Sequence, residues 1–259
     1  MKNELEFAKK LAYDAGEIIK KYFNQSGIGR YKSDNTIVTK ADEEINQMVI
    51  DRVRENYPEH GIYGEEDSFG KDRSTLWVCD PLDGTSAFTR GLPIAVFSLA
   101  LVIDGQLILG VTHDPFTNRL YFAMKNGGAF CNGEKIKVNK NRLGERDATI
   151  DCSYSPTMQF NLTKALYRLQ QTNRVSSIGS SVRAGTMVAE GSLTASIYCG
   201  SKSYDIAAVK IIVEEAGGRV TDIHGNDQHY NKDIKGAIVS NGLVYDEILK
   251  IIKEEVNEI

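Results

Sequence analysis

The run Thr75-Leu-Trp-Val-Cys79 reads as a short buried strand, and it leads directly into two acids, in Asp80-Pro81-Leu82-Asp83-Gly84-Thr85. That junction constrains the fold: the strand belongs in a core, and the acids, three residues apart, meet in one turn at its end. The strand is expected to break at Asp80-Pro81, where proline stiffens the turn and withholds an amide hydrogen, while Gly84 lets the backbone approach whatever the acids hold. Carboxylates converging this way repel unless a cation sits between them. Hard oxygen donors favour Mg²⁺, Mn²⁺ or Ca²⁺ over zinc, and magnesium is the expected occupant. The same hexapeptide also has the composition of a plain turn followed by a helix cap.

Two further places offer acids. Gly64-Glu65-Glu66-Asp67 is an acidic loop after the apolar Ile62-Tyr63, and Asp205 stands at the start of a strongly helical stretch. Taken alone, the first reads as a solvated charge run and the second as a helix N-cap. With Asp80 and Asp83 they make four carboxylates, a set suited to two or three magnesium ions that clamp a phosphate and activate water. Donors for that phosphate are expected from the amides of Gly84 and Thr85, which open toward a short helix through Ser86, and from the loop Gly179-Ser180-Ser181 before a second helix.

The surrounding chain is patterned as an α+β protein. Leu5, Ala8, Leu11, Ala12, Ala15, Ile18, Ile19 and Tyr22 give an amphipathic helix over 3–23, interrupted at Gly27 to Arg30. A second helix starts near Ala41, with Asp42, Glu43 and Glu44 at its positive end, and stops before Pro58. From Ile94 an antiparallel meander follows, with turns at Asp104-Gly105, Pro115 to Asn118 and Asn132-Gly133, the last before a strand at Ile136 to Val138. Beyond about residue 145 strands (Ala148 to Ser153, Val175 to Ile178) alternate with helices (Leu162 to Gln171, Arg183 to Glu190). A helix from Asp205 then closes at Gly217-Gly218 before a strand at Arg219 to Asp222.

Hydrophobic residues make up 41% of the 259 and charged residues 25%, the profile of a soluble globular chain. Lys and Arg number 31 against 35 acids, a formal charge of −4 that argues against nucleic-acid or membrane adhesion. The opening MKNELEFAKK is charged, and the longest apolar stretch, Ile94 to Ile103, falls short of the roughly 18 residues that span a bilayer, so a cytoplasmic protein is expected. Cys79, Cys131, Cys152 and Cys199 lie far apart without zinc-ligand spacing and read as small buried hydrophobes.

Taken in order, Gly64-Glu65-Glu66, Trp77-Val-Cys-Asp80-Pro-Leu-Asp83-Gly-Thr85, and Tyr204-Asp205-Ile-Ala-Ala with Glu215-Ala-Gly-Gly218 resemble the inositol monophosphatase family, over Lys32 to Asp222. The wider group includes fructose-1,6-bisphosphatases, histidinol-phosphate phosphatases and phosphatases of 3'-phosphoadenosine nucleotides. The resemblance implies a layered α/β/α/β/α sugar-phosphatase fold, dimeric, with magnesium-dependent and often lithium-sensitive activity on small phosphorylated metabolites. It implies an N-terminal α+β lobe with an antiparallel sheet over 1–145, carrying most metal ligands, and an α/β lobe over 146–259 completing the metal and substrate site; the sequence itself marks no disordered linker and no clean boundary between them. Carried over by motif, Glu65, Asp80, Asp83 and Asp205 are metal ligands, joined by the Leu82 carbonyl. Thr85 and Asp42, the latter in a V-T-x-x-D segment, position the attacking water with Glu65. Glu66 lies behind the ligands, and Lys32 sits on a loop near the metals. Asp83, Gly84, Thr85, Ser86, Gly179, Ser180, Ser181, Tyr198 and Asp205 are the expected substrate contacts.

Substrate choice is where the chain departs from its relatives. Inositol-preferring members carry a glutamate seven positions before the last metal aspartate, several sugar-bisphosphate members an arginine, and this chain has Tyr198. Tyrosine exchanges hydrogen bonds but cannot neutralise a second phosphate. Lys202, nearer Asp205, reads as a surface lysine with a second phosphate as the alternative. An inositol-1-monophosphatase-like activity ranks first, histidinol-phosphate or fructose-1,6-bisphosphate hydrolysis second, and a regulatory binding protein with secondary phosphatase activity is the reading of another class. His113 is expected to be a hydrogen-bonded structural histidine.

Overall fold

The apolar positions of the first 22 residues recur at helical spacing. In the computed structural model of the chain, which describes residues 1–25, 29–33, 35–153 and 158–258, they form the buried face of α1 (Lys2–Tyr22). Gly27 and Asp34 lie outside the described residues. After the hairpin β1 (Gly29–Tyr31) and β2 (Ile37–Thr39), a capping box opens α2 (Lys40–Asn56): the Asp42 carboxylate accepts the Thr39 amide at 2.8 Å, and the Thr39 hydroxyl oxygen accepts the Ala41 amide at 3.2 Å.

Both helices cover one face of a seven-stranded sheet. Its spatial order is β3 (Gly61–Gly64), β4 (Thr75–Asp83), β5 (Val96–Ile103), β6 (Gln106–Asp114), β7 (Arg119–Met124), β8 (Gly128–Cys131) and β9 (Glu134–Lys135). Only the β3–β4 pair is parallel. A single turn, α3 (Thr85–Phe88), follows β4. Phe97, Leu99 and Leu101 of β5 pack with α1 and α2, while Val96, Ala100 and Val102 enter a second cluster on the opposite face. A strand buried on both sides has no polar alternation, which is why Ile94 to Ile103 is apolar throughout except at Ser98, itself buried. His113 on β6 is buried with Nδ1 2.9 Å from the Ala12 carbonyl, joining the sheet to α1 in the structural role expected of it.

The remaining elements are β10 (Thr149–Ser153), β11 (Phe160–Asn161), α4 (Thr163–Leu169), β12 (Arg174–Ser176), α5 (Ser181–Ala189), β13 (Ala195–Tyr198), α6 (Ala207–Glu215), β14 (Arg219–Thr221), β15 (Ala237–Ser240), α7 (Tyr245–Glu255) and β16 (Asn257–Glu258). They build a five-stranded sheet in the order β12-β10-β13-β15-β14, with a β11–β16 pair beside it. Helices α5 and α6 fill the space between the two sheets, and α4 and α7 cover the outer face of the second. The layers run α/β/α/β/α as expected, and all four cysteines are buried and free.

The central helices are seated by two close approaches. A Cβ at Gly110 of β6 would stand 2.9 Å from both the Cα and the carbonyl oxygen of Ala208 in α6, and one at Gly185 of α5 would meet the Val209 side chain. Small residues there let α6 lie against strand and helix at once.

The structure corrects three expectations. β4 does not break at Asp80-Pro81 but continues to Asp83 through a bulge: Asp80 pairs with Ser98 and Asp83 with Val96, so β4 carries one extra residue. A bulge tolerates a proline that cannot donate to the ladder. Ile136 to Val138 is not a strand, because the chain leaves the sheet edge after β9 and the Val138 amide donates to the Ala216 carbonyl beyond α6. Asp205 is not a helix N-cap. It ends a 3₁₀ turn, Ser203–Asp205, and α6 begins two residues later.

Gly110→Val should therefore lower the unfolding free energy by about 1–3 kcal/mol, since the added atoms meet the Ala208 backbone as well as the Ile211 side chain. Urea denaturation measures this; a loss under about 0.5 kcal/mol would mean that α6 does not sit on β6 in this way.

Candidate metal and phosphate site

The bulge determines where the acids point. Side chains alternate along a strand, so residues three apart face opposite sides; one extra residue restores the phase, and Asp80 and Asp83 reach the same place. Asp205, arriving from the turn before α6, joins them, and ligand oxygens of the three lie within 4.8 Å of one another. A second triad, Asp42, Glu65 and Glu66, meets the same criterion. The Glu65 amide donates to the Cys79 carbonyl at 3.1 Å, which ties the acidic loop to the end of β4. All of the carboxylates expected to hold metal thus fall in these two groups.

Each carboxylate of the first triad has a donor from a different source. Asp80 Oδ1 accepts the Leu82 amide at 3.0 Å. Asp83 Oδ2 accepts the Val182 amide at 2.7 Å and the Ser180 hydroxyl, and Asp205 Oδ2 accepts the Tyr198 hydroxyl. Thr85 connects the second triad to the backbone that carries Asp80 and Asp83: its hydroxyl lies 3.2 Å from Asp42 Oδ1 and 2.9 Å from the Leu82 carbonyl. That carbonyl keeps a second lone pair for another partner. Asp42 is fixed in turn by the Thr39 amide and hydroxyl on Oδ2. Lys32 Nζ donates to Glu66 at 2.6 Å and to Glu65 at 3.3 Å, near the acids as expected.

Two groups of expected substrate contacts hydrogen-bond to the acids themselves. Ser180 caps α5, accepting the Arg183 amide at 3.1 Å, while its hydroxyl and the Val182 amide turn to Asp83. The anion at this helix N-terminus is the protein's own carboxylate, Asp83, and Gly179 and Ser181 flank that contact. Tyr198 is buried with its hydroxyl on Asp205, and it accepts the Lys202 amide at 3.2 Å. Gly84, at φ 94°, turns the chain from β4 into α3; a Cβ there would lie 3.3 Å from Ser180 Cβ, so the position needs glycine for both reasons. Ser86 is exposed on α3. Lys202 pairs with Asp233 at 2.9 Å, and Asp233 also accepts the Tyr63 hydroxyl at 2.5 Å. The partners of Asp83 and Asp205 were hidden in the sequence: Ser180 lies 97 residues from Asp83. The role of Thr39 was legible in the T-x-x-D spacing of a capping box.

Burial raises every one of these acids. Asp42 is pushed up to about 7 by burial, against the pull of its Thr39 hydrogen bonds. Glu65 rises to about 8 through burial, with Lys32 opposing and Glu66 adding repulsion. Asp205 reaches about 7 through burial and then the charge of Asp83. Asp80 is held well above the carboxylate range by burial, then by Glu65, Asp83 and Asp205. Asp83 is raised by burial, although the Ser180 and Val182 donors pull it back. Acids in this state hold protons unless a cation replaces them, and an all-oxygen donor set fits a hard divalent ion.

The family model described as the inositol monophosphatase family matches residues 1–257. The fructose-1,6-bisphosphatase/inositol-1-monophosphatase of Thermotoga maritima is 36% identical, covering 99% of this chain and 98% of its own. The Nus factor SuhB of Pasteurella multocida is 33% identical over 98% of this chain and 95% of its own. Among solved structures, the IMPase of Thermotoga maritima superposes with a TM-score of 0.87 at 33% identity, covering 97% of each chain.

The raised acids give metal-free stability a pH slope. An acid whose pKa lies higher in the folded than in the unfolded chain binds more protons when folded, so its contribution is complete below the unfolded value near 3.8 and is lost as pH rises through about 7. The melting temperature of chelator-treated protein should therefore fall between pH 5 and 8, and added Mg²⁺ should restore more of it at pH 8 than at pH 6. Thermal melts at both pH values check this; a Mg²⁺ shift that shrank with rising pH would contradict the assignment.

Proposed function

The chain belongs to the inositol monophosphatase family, and on that premise we propose a Mg²⁺-dependent hydrolase of small polyol or sugar phosphates, inositol 1-phosphate first among them, acting by attack of water without a phosphoenzyme. Its class is that of the family, phosphoric monoester hydrolase. The observation that carries the reading is the Thr85 hydroxyl, 3.2 Å from Asp42 of one carboxylate triad and 2.9 Å from the Leu82 carbonyl, between Asp80 and Asp83 of the other in sequence.

Glu65, Asp80, Asp83 and Asp205, with the Leu82 carbonyl, would hold two or three ions. Bound there, Mg²⁺ acidifies water and offsets charge on the phosphate and on the leaving alkoxide. The chain's own contribution is positioning and a proton path. Water beside Thr85 gives a proton to Thr85 Oγ1 as the hydroxyl proton passes to Asp42 Oδ1. Burial raises Asp42 to about 7 in the metal-free chain, the direction that makes a carboxylate a stronger base. Thr39 holds the other oxygen of Asp42 and keeps the free one aimed at Thr85. The amides following Asp83, at Gly84 and Thr85, offer donors to the phosphate.

A second reading, hydrolysis of fructose 1,6-bisphosphate alongside monophosphates, is supported by the double name of the Thermotoga maritima relative. Phosphate release over inositol 1-phosphate, fructose 1,6-bisphosphate, histidinol phosphate and a 3'-phosphoadenosine nucleotide, with and without lithium, ranks the readings by kcat/KM. No Mg²⁺-dependent turnover on any of them would leave a binding protein.

Asp83→Ala and Asp205→Ala should abolish turnover while leaving a folded protein by circular dichroism; near-normal activity of either in excess Mg²⁺ would overturn the assignment. Asp42→Asn should lower kcat by about 10²–10⁴-fold, the usual worth of a general base, with little change in KM. An unchanged kcat would remove Asp42 from the proton path.

A further inference from the structure

We propose that Tyr198 is a positioning residue for Asp205 and, in that role, is withdrawn from substrate recognition. The inference rests on the reading of Asp205 as a metal ligand and deepens it. It says how that ligand is aimed, and that the alcohol half of the substrate is bound without a hydrogen bond from this position.

A phenol hydroxyl has one proton to donate, and here it goes to Asp205 Oδ2. The Tyr198 hydroxyl oxygen in turn accepts the Lys202 amide at 3.2 Å. The ring stands on β13, only 5% exposed, and joins the cluster between the sheets with Tyr204. The strap from Cys199 to Asp205 passes over the hydroxyl so closely that a Cβ at Gly200 would run into it. That strap is pinned from outside, where the Ile234 amide donates to the Ser201 carbonyl at 2.7 Å and the Gly236 amide to the Gly200 carbonyl at 3.1 Å.

Asp205 needs such a partner. Asp80 and Asp83 belong to a strand, and each takes a backbone amide as donor. Asp205 ends a 3₁₀ turn that has no side-chain cap, and the donor to its carboxylate is a side chain from a neighbouring strand. Hydrogen bonds to the ligands of a metal orient them and are worth about 10–100-fold in affinity. A tyrosine holding Oδ2 leaves Oδ1 of Asp205 for the ion.

The experiment titrates Mg²⁺ alone, by isothermal calorimetry, into the wild type, Tyr198→Phe and Gly200→Ala, and follows inositol 1-phosphate hydrolysis at several Mg²⁺ concentrations. Tyr198→Phe removes the donor, and Gly200→Ala pushes the hydroxyl aside while keeping it. Both should weaken one Mg²⁺ site about tenfold and recover turnover as Mg²⁺ is raised, with KM for inositol 1-phosphate within about twofold of wild type. Unchanged Mg²⁺ affinity with a raised KM would make Tyr198 a substrate contact and overturn the proposal. Loss of folding in both variants, read from thermal melts, would make it a structural tyrosine and overturn it equally. Failure of the wild type to bind Mg²⁺ would instead overturn the reading of the site on which the proposal rests.

Discussion

Six carboxylates drawn into two buried or part-buried triads are the condition that the rest of the structure has to satisfy. Like charges this close cannot all ionise in a poorly solvated place; burial lifts Asp42 and Asp205 to about 7 and Glu65 to about 8. The fold holds the groups together against that repulsion through fixed donors: the Leu82 amide, the Ser180 hydroxyl with the Val182 amide, the Tyr198 hydroxyl and the Thr39 cap. Each donor belongs to a different element, so bringing the acids together requires strand, helix and turn to be in register at once. A site of this kind is preorganised for a divalent cation before any cation arrives.

Two local devices make that register attainable. The bulge at Asp80 to Asp83 puts two acids of one strand on one side, which an unbroken strand cannot do at that spacing. Gly110 and Gly185 let α6 close against sheet and helix, so the turn that carries Asp205 is brought to the end of β4. The cores on either side are separate clusters, but the middle one draws residues from both sheets, and it is this shared layer that fixes one sheet against the other.

How much of this was legible from the chain follows from the range of each interaction. Helix faces, the antiparallel meander and the acidic motif are local patterns, and they appear where spacing and turn residues put them. The end of β4 was misplaced because proline normally stops a strand, and only pairing with Ser98 and Val96 shows that a bulge absorbs it. Ile136 and Val138 are apolar for a reason other than strand pairing, since they pack against the central cluster. Asp205 looks like a cap when only its helix is considered; the 3₁₀ turn that displaces it depends on the strap before it. Ser180 and Ser181 have the composition of an anion-binding loop, and an anion is there, but it comes from 97 residues away.

The same distinction explains why bulk charge is a poor guide to the ligand. The excess of four negative charges is a formal count over 66 ionisable side chains, 31 basic and 35 acidic. Beside the two triads Lys32 pairs with Glu65 and Glu66, while Lys202 is engaged by Asp233. An anionic phosphate approaching such a site meets repulsion until divalent ions reverse its sign. On the proposed function, electrostatics would set the order of events: the cations would be held first, by carboxylates that the fold has already aimed.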